Sequence, residues 1–377
     1  DGSRAQRGAD AHYVRDAGHA VRAQVRHAGA LARTWYSHEP TLGSHLLRPL
    51  AWLFGCAVAL RRAGYRHGLL RQTRVAVPVV VVGNITAGGA GKTPLVAALV
   101  DALAACGRHP GVVSRGYGRA THDVREVRTN DDARDVGDEP LLLAASGAPV
   151  VVGRDRVAAA HRLIDAHPDV DVIVADDGLQ HYALARDVEI AVVDATRELG
   201  NERLMPAGPL REPASRLDSV DAIVWRTASG ARPRMRGHAR EFVATYEARG
   251  WINVIDPALR FDARLLRDPA TVAIAGIAHP DSFFDALRAQ GFMGTALAFA
   301  DHHRYVRDDI AFVDAPAILM TEKDAVKCRA FGDLRMWMQP IVARVAPALI
   351  DFVLERIDGP EAARDARLPG DQGSARP

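Results

Sequence analysis

The stretch that most restricts this chain runs Val77-Pro78-Val79-Val80-Val81-Val82-Gly83-Asn84-Ile85-Thr86-Ala87-Gly88-Gly89-Ala90-Gly91-Lys92-Thr93. Its first half is a β-branched run without polar alternation, the pattern of a parallel strand covered on both faces. Its second half places glycines at 88, 89 and 91 before Lys-Thr opens a helical stretch through Pro94-Leu95-Val96-Ala97-Ala98-Leu99-Val100. Glycines there let backbone N–H groups turn inward around an anion, and the helix adds its positive end. This predicts a phosphate cradle built from Thr86, Ala87, Gly88, Gly89, Ala90, Gly91, Lys92 and Thr93. Lys92 would reach the β- and γ-phosphates, and the Thr93 hydroxyl would hold Mg²⁺. Thr86 occupies the position where the usual G-x-x-x-x-G-K-[ST] loop has its first glycine, yet strand, turn and helix follow in the required order.

The rest of the chain has the texture of an α/β protein. Its 377 residues allow two domains with ample buried core. From Val75 onward, short apolar strands (Val77–Val82, Pro110–Ser114, Pro149–Val152, Val172–Ala175, Ile190–Val193, Ala222–Trp225) alternate with helical stretches (Pro94–Cys106, Pro140–Ala145, Arg156–Ala166). That alternation predicts a mostly parallel, P-loop NTPase-like sheet with helices on both faces. Residues 227–240 are rich in Arg, Gly and Pro, and Glu241–Leu259 suggests an antiparallel hairpin around Gly250. A second α/β segment opens at Thr271–Gly276, with a helix over Asp281–Gln290 and a strand over Ala317–Met320. The expected organisation is an extension without assigned role over 1–34, a membrane-associated helical segment over 35–74 and a nucleotide-binding domain over 75–235. A linker hairpin over 236–265, a smaller C-terminal α/β domain over 266–357 and a polar tail over 358–377 complete it.

Charge is unevenly spread. Residues 1–74 carry 12 Arg and no Lys against 4 acids, although the whole chain is only +2. A basic amino-terminal segment points to an anionic surface, membrane or nucleic acid. Few aromatics are interleaved among these arginines, which argues against base stacking and a nucleic-acid partner. The uncharged run Pro49–Leu60 is too short to span a bilayer, for which roughly 20 residues are needed. It is apolar on every side, contains Trp52 and Phe54, and is flanked by Arg48, Arg61, Arg62 and Arg66. Such a helix can embed in one leaflet with its arginines at the headgroups, or pack as a core helix. Cys56, Cys106 and Cys328 lie in unrelated contexts and suggest neither a metal site nor a disulfide framework, hence a reducing compartment. Nothing in the chain points to an obligate protein partner.

Several stretches carry chemistry. Val172-Ile173-Val174-Ala175-Asp176-Asp177-Gly178 ends an apolar strand in two acids, and in phosphate-loop enzymes such an acid binds Mg²⁺ directly or through water. Sequence does not divide the work between Asp176 and Asp177. Ser114-Arg115-Gly116-Tyr117-Gly118-Arg119 follows the second strand, where the ligands of such sheets lie. Arg115 and Arg119 there offer bidentate recognition of a phosphate or carboxylate. Gly137-Asp138-Glu139-Pro140 precedes a helix, which capping alone would explain. Asp301-His302-His303 could serve as metal ligands or as an acid–histidine base. Thr321-Glu322-Lys323-Asp324 is a charged loop that faces a cleft or caps a helix.

Taken together and in order, these stretches, with Leu204-Met205-Pro206-Ala207-Gly208-Pro209-Leu210-Arg211-Glu212-Pro213 and Asp176-Asp177-Gly178-Leu179-Gln180-His181, resemble the tetraacyldisaccharide 4′-kinase family, the lipid A kinases of Gram-negative bacteria. The resemblance spans about Trp35 to Ile357, and Thr86 looks like that family's own form of the loop. It implies transfer of the ATP γ-phosphate to the 4′-hydroxyl of a tetraacylated glucosamine disaccharide 1-phosphate. ATP and Mg²⁺ are the implied cofactors, the glycolipid and an anionic membrane surface the implied partners. An amino-terminal helix would rest on the cytoplasmic face of the inner membrane. The resemblance further implies Asp138 as base together with a histidine, for which His303 is preferred to His302, with Arg115 and Arg119 holding acceptor phosphate or sugar. The competing reading is a nucleotide-switch NTPase, but no guanine-reading Asn-Lys-x-Asp follows the late strands.

Overall fold

A computed structural model gives the fold. It describes residues 34–36 and 42–359, apart from 229–232, 234, 239 and 313. The expected extension, except Thr34, and the expected tail beyond Gly359 lie outside the described residues.

In chain order the strands are β1 (Val79–Gly83), β2 (Pro110–Ser114), β3 (Arg125–Glu126), β4 (Val150–Val152), β5 (Val172–Asp176), β6 (Val188–Asp194), β7 (Ala222–Ala228), β8 (Glu241–Ala248), β9 (Ile252–Asn253), β10 (Val272–Ala275), β11 (Thr295–Ala298), β12 (Ile318–Thr321), β13 (Met336–Gln339) and β14 (Ile341–Val345). The α-helices are α1 (Leu42–Leu46), α2 (Arg48–Arg66), α3 (Lys92–Ala105), α4 (Ala133–Val136), α5 (Asp138–Ala144), α6 (Arg156–Ala166), α7 (Pro280–Ala289), α8 (Glu322–Cys328) and α9 (Pro347–Asp358).

Two sheets form. The larger runs β14-β8-β7-β6-β1-β5-β2-β4-β3, and the smaller runs β11-β10-β12-β13-β9. Both are parallel except at their margins, where β14 pairs antiparallel with β8, β3 with β4 and β9 with β13. The valines of β1 explain its central place. Val79, Val80, Val81 and Val82 are each at most 1% exposed and alternate between the two apolar layers on either face of the larger sheet. Fully burying such a side chain is worth roughly 1.5–3 kcal/mol. The phosphate loop therefore leaves a strand that is anchored on both sides. α3 repeats the logic, with Leu95, Val96, Leu99, Val100 and Leu103 turned into one of those layers.

Two expectations about organisation need correcting. Glu241–Leu259 is not a hairpin: β8 joins the larger sheet parallel to β7, whereas β9 joins the smaller sheet beside β13. The expected smaller domain over 266–357 is also divided. β14 returns to the larger sheet, and α9 packs Leu349, Ile350, Phe352, Val353 and Ile357 into the core beneath β1 and α3. Long-range pairing, not local turn residues, decides both.

α2 lies against the larger unit but leaves a broad apolar surface that no described residue covers. Trp52 is 69% and Leu60 76% exposed, with Leu46, Leu50, Leu53, Leu69 and Leu70 also exposed. Gly55 packs closely on Leu204, and polar contacts help to hold α1 and α2 in place. Arg62 donates to Ser219 Oγ at 2.7 Å, and Arg203 donates to Ser44 Oγ in α1 at 2.9 Å. No helix among the described residues is long and apolar enough to cross a membrane.

Candidate active site

The site is assembled where the parallel strands of the larger sheet end and the smaller sheet leans over them. Asn84, directly after β1, is wholly buried and organises the loop. Its amide donates to the Thr86 carbonyl at 2.9 Å and Thr86 Oγ1 at 3.0 Å, while its Oδ1 accepts from Lys92 Nζ at 3.0 Å. Lys92 also pairs with Asp177 Oδ1 at 3.3 Å. Two segments shape the loop from outside. Ala87 N–H donates to the Pro209 carbonyl and Arg211 N–H to the Ile85 carbonyl, each at 2.7 Å. From β8, the Tyr246 hydroxyl donates to the Gly91 carbonyl at 2.5 Å. Gly91 caps α3 at φ 77°, and a Cβ there would come within 2.8 Å of Arg226 Cδ. Conformation and crowding both require glycine at this position.

The two acids at the end of β5 differ sharply. Asp176, in register with Val82 of β1, is fully buried and accepts from Ser114 Oγ at 3.2 Å through Oδ2, while Oδ1 has no partner. Burial, reinforced by Glu139, raises its carboxyl to about 7. Asp177 takes a left-handed conformation, φ 50°, that turns it toward Lys92 and Arg211, the latter at 3.2 Å. Burial pushes its carboxyl up, but Lys92 and Arg211 outweigh that and hold it well below the usual carboxylate range. Among the described residues no group of three or more His, Cys, Asp or Glu forms a metal cage. Mg²⁺ in phosphate-loop sites needs only one or two carboxylates beside phosphates and water. An unpartnered buried carboxylate oxygen beside the loop strand fits that ion.

On the opposite side, the smaller sheet delivers a histidine to the first turn of α5. Asp138 is 5% exposed, and its Oδ2 lies 3.0 Å from His302 Nδ1. Burial disfavours the charged carboxylate, yet the hydrogen bond and charge of His302 prevail and bring it to about 2. Burial likewise lowers the imidazole pKa of His302, and Asp138 more than offsets it, so the net shift is upward. Its neighbour Glu139 forms an ion pair with Lys323 of α8. The expectation that His303 would be the partner is corrected here. His303 Nε2 sits 2.9 Å from Asp309 Oδ2, wedged between the rings of Phe299 and Tyr305. The positive φ of His302, 56°, sets the two neighbouring side chains on different partners. Tyr117 packs its ring 5.0 Å from that of His302, and both line a cleft with Asp138, Arg134, Arg304 and Lys327.

The two arginines of the Ser114–Arg119 turn part company. Arg115 is exposed at the rim, whereas Arg119 is buried, donating to the Asp123 carbonyl at 2.6 Å.

Comparison with known proteins decides the family. The model of the LpxK family, tetraacyldisaccharide-1-P 4′-kinase, matches residues 43–358. This chain belongs to that family. The tetraacyldisaccharide 4′-kinase of Azoarcus sp. is 49% identical over 324 residues, covering 86% of this chain and 94% of that protein. The corresponding kinase of Chromobacterium violaceum is 48% identical over 330 residues, covering 86% and 96%. Among solved structures, LpxK from Aquifex aeolicus in complex with ATP superposes with a TM-score of 0.72 at 25% identity, covering 84% of this chain and all of that one.

Within this tetraacyldisaccharide 4′-kinase fold, the loop residues 86–93 are contiguous, and Lys92 meets Asp177 because β1 pairs with β5, a contact that adjacency in the sequence does not reveal. Residues that the sequence reading left without a role are Asn84, Tyr246, Lys323 and Arg156. Asn84 carried a signal, since it stands between the strand and the glycines. Tyr246 carried none, because its approach to Gly91 depends on β8 pairing with β7.

Proposed function

We propose that this chain transfers the γ-phosphate of ATP to the 4′-hydroxyl of a tetraacylated glucosamine disaccharide 1-phosphate, a step of lipid A biosynthesis. The observation that carries this reading is the convergence of a phosphate-loop lysine and an Asp138–His302 pair at the same strand ends, in a member of this kinase family. Backbone N–H groups of residues 86–93 and Lys92 would grip the β- and γ-phosphates and absorb their charge. The Asp138–His302 pair would receive the proton of the sugar hydroxyl late in the transfer. Mg²⁺, when bound, supplies charge neutralisation on the phosphates, with Thr93 and Asp176 as the residues to hold it and Asp177 the residue that fixes Lys92. Exposed Arg115 is the contact for acceptor phosphate or sugar.

The uncovered surface of α2 supports docking on the cytoplasmic face of the inner membrane. Four acyl chains confine the acceptor to a bilayer, and each arginine near an anionic surface contributes about 1 kcal/mol. Arg48, Arg61 and Arg66 lie on this helix, together with Arg62 on Ser219. The test is incubation with ATP labelled in its γ-phosphate and detergent-dispersed acceptor. Label on the glycolipid is the expected result; label appearing only as free phosphate would sink the proposal in favour of a nucleotide switch.

A further inference from the structure

Two buried arginines stand at the strand ends with donors that no described residue uses. Arg119 is 8% and Arg156 3% exposed. Arg119 Nε and Nη1 and Arg156 Nε are buried without a hydrogen-bond partner. Their other bonds go to neutral backbone carbonyls: Arg119 to Asp123, and Arg156 to Gly153 at 2.9 Å and Asp176 at 3.5 Å. No carboxylate among the described residues is bonded to either guanidinium. Burying a cation without a bonded anion is costly; for Arg156 burial is the largest effect, Asp177 and Asp176 offset part of it through space, and Arg115 and Arg119 add repulsion. Folding alone does not account for such a pair; an anionic ligand does.

Their placement says which part of the reaction they face. Arg156, at the start of α6, reaches across the end of β2 from the turn after β4 to the last residue of β5, the strand that carries Asp176. Arg119 folds back over Gly116, where a Cβ would meet Arg119 Cδ at 2.7 Å and the Val136 carbonyl at 2.6 Å. Val136 and Gly137 immediately precede Asp138. Arg156 therefore stands beside Asp176, and Arg119 packs over the Gly116 turn that abuts Val136, two residues before Asp138.

We propose that Arg119 and Arg156 form a buried seat for the phosphoryl group as it passes from nucleotide to sugar, and that both are catalytic residues of the transfer. The inference rests on the kinase reading above. In that transfer the bond from the γ-phosphorus to the β,γ-bridging oxygen breaks, and a bond from the same phosphorus to the 4′-oxygen forms. The hydroxyl proton passes to the Asp138–His302 pair, and ADP leaves with the bridging oxygen. Charge spreads over the three equatorial oxygens in flight, and rigid buried donors stabilise it without reorganising. The acceptor's own phosphate hangs two sugar rings away from the 4′-hydroxyl, outside this seat.

The test compares the full chain with Arg119→Gln, Arg119→Lys, Arg156→Gln and Arg156→Lys, using labelled ATP and dispersed acceptor. The Gln variants should lose on the order of a hundredfold or more in kcat, with KM for ATP and acceptor changed by less than about threefold. Lys should restore only part, because one ammonium does not reproduce a guanidinium fork. Binding of ADP with aluminium fluoride, a planar stand-in for the phosphoryl group, should weaken in step with kcat while ADP alone binds as before. A residue that merely holds strands would not separate those two ligands. A higher acceptor KM at undiminished kcat would reassign the pair to the acceptor phosphate, and weaker ADP binding would reassign it to the nucleotide; either outcome overturns the inference. Where a Gln variant melts well below the parent, the ligand comparison on the Lys variant decides. Failure of the unmodified protein to label acceptor would instead remove the kinase reading.

Discussion

Replacing His302 with asparagine removes the imidazole that holds Asp138 in place and leaves the carboxylate buried. The carboxyl now sits at about 2 rather than 3.8 despite burial that pushes it up. At 1.36 kcal/mol per pKa unit, the charged form is favoured by roughly 2–3 kcal/mol net. His302 supplies the leading part of that, ahead of Lys323 and Lys327. Without it, burial dominates and the carboxyl rises above its ordinary value, so His302→Asn should cost about 2–3 kcal/mol of stability at pH 5–6, read by urea titration. The sign follows from both partners. Asp138 contributes stability above pH 3.8 that is lost as pH falls through about 2. His302 contributes stability below pH 6.5 that is lost as pH rises through its raised folded value. The same shift predicts a rising limb of kcat/KM centred above pH 6.5, as the imidazolium gives up its proton and can accept another. His302→Asn should remove that limb and lower kcat by roughly 10²–10⁴, with ATP binding unchanged. His303→Gln should keep the limb. If His302→Asn retained the limb, or His303→Gln abolished it, the assignment of the base would be refuted.

Three further perturbations probe other parts of the site. Lys92→Ala should reduce turnover by several orders of magnitude, on the order of 10³ or more, with circular dichroism unchanged; near-normal turnover would disprove the phosphate-loop assignment. Tyr246→Phe removes one neutral hydrogen bond to the loop backbone, worth about 1 kcal/mol, so the KM for ATP should rise about fivefold while the acceptor KM stays put. Trp52→Glu combined with Leu53→Glu places charge on the uncovered face of α2 and should shift the protein off anionic vesicles in a flotation assay; unchanged partition would mean that this face does not meet the membrane.

Much of the larger sheet could be read from sequence because its evidence is local. β2 and α6 fall where the apolar runs placed them, and β1, β4, β5, β6 and β7 differ only at their ends. The phosphate loop was legible for the same reason, since its parts are covalent neighbours. What could not be read depends on which distant segment arrives. His302 and His303 are adjacent and chemically identical, and only the backbone turn at 302 together with the position of α5 separates their partners. Arg115 and Arg119 share one motif, yet packing of the latter over Gly116 buries it. Gly250 looked like the tip of a hairpin because nothing nearby reveals that β8 and β9 belong to different sheets.

The antiparallel partnership of β14 with β8 has a topological consequence. Ile341 faces Ala248 in register, and such partners stand about 5 Å apart. Everything from 249 to 340, the whole smaller sheet with His302, thus departs and rejoins at one point, like a bead slipped onto a closed loop. A tight turn in its place should leave a nucleotide-gripping half that holds its ligand and keeps Asp138 but lacks the histidine that completes the pair. The nucleotide grip and the histidine that completes the base are thereby encoded in separable parcels of chain, and the base itself exists only where the two meet.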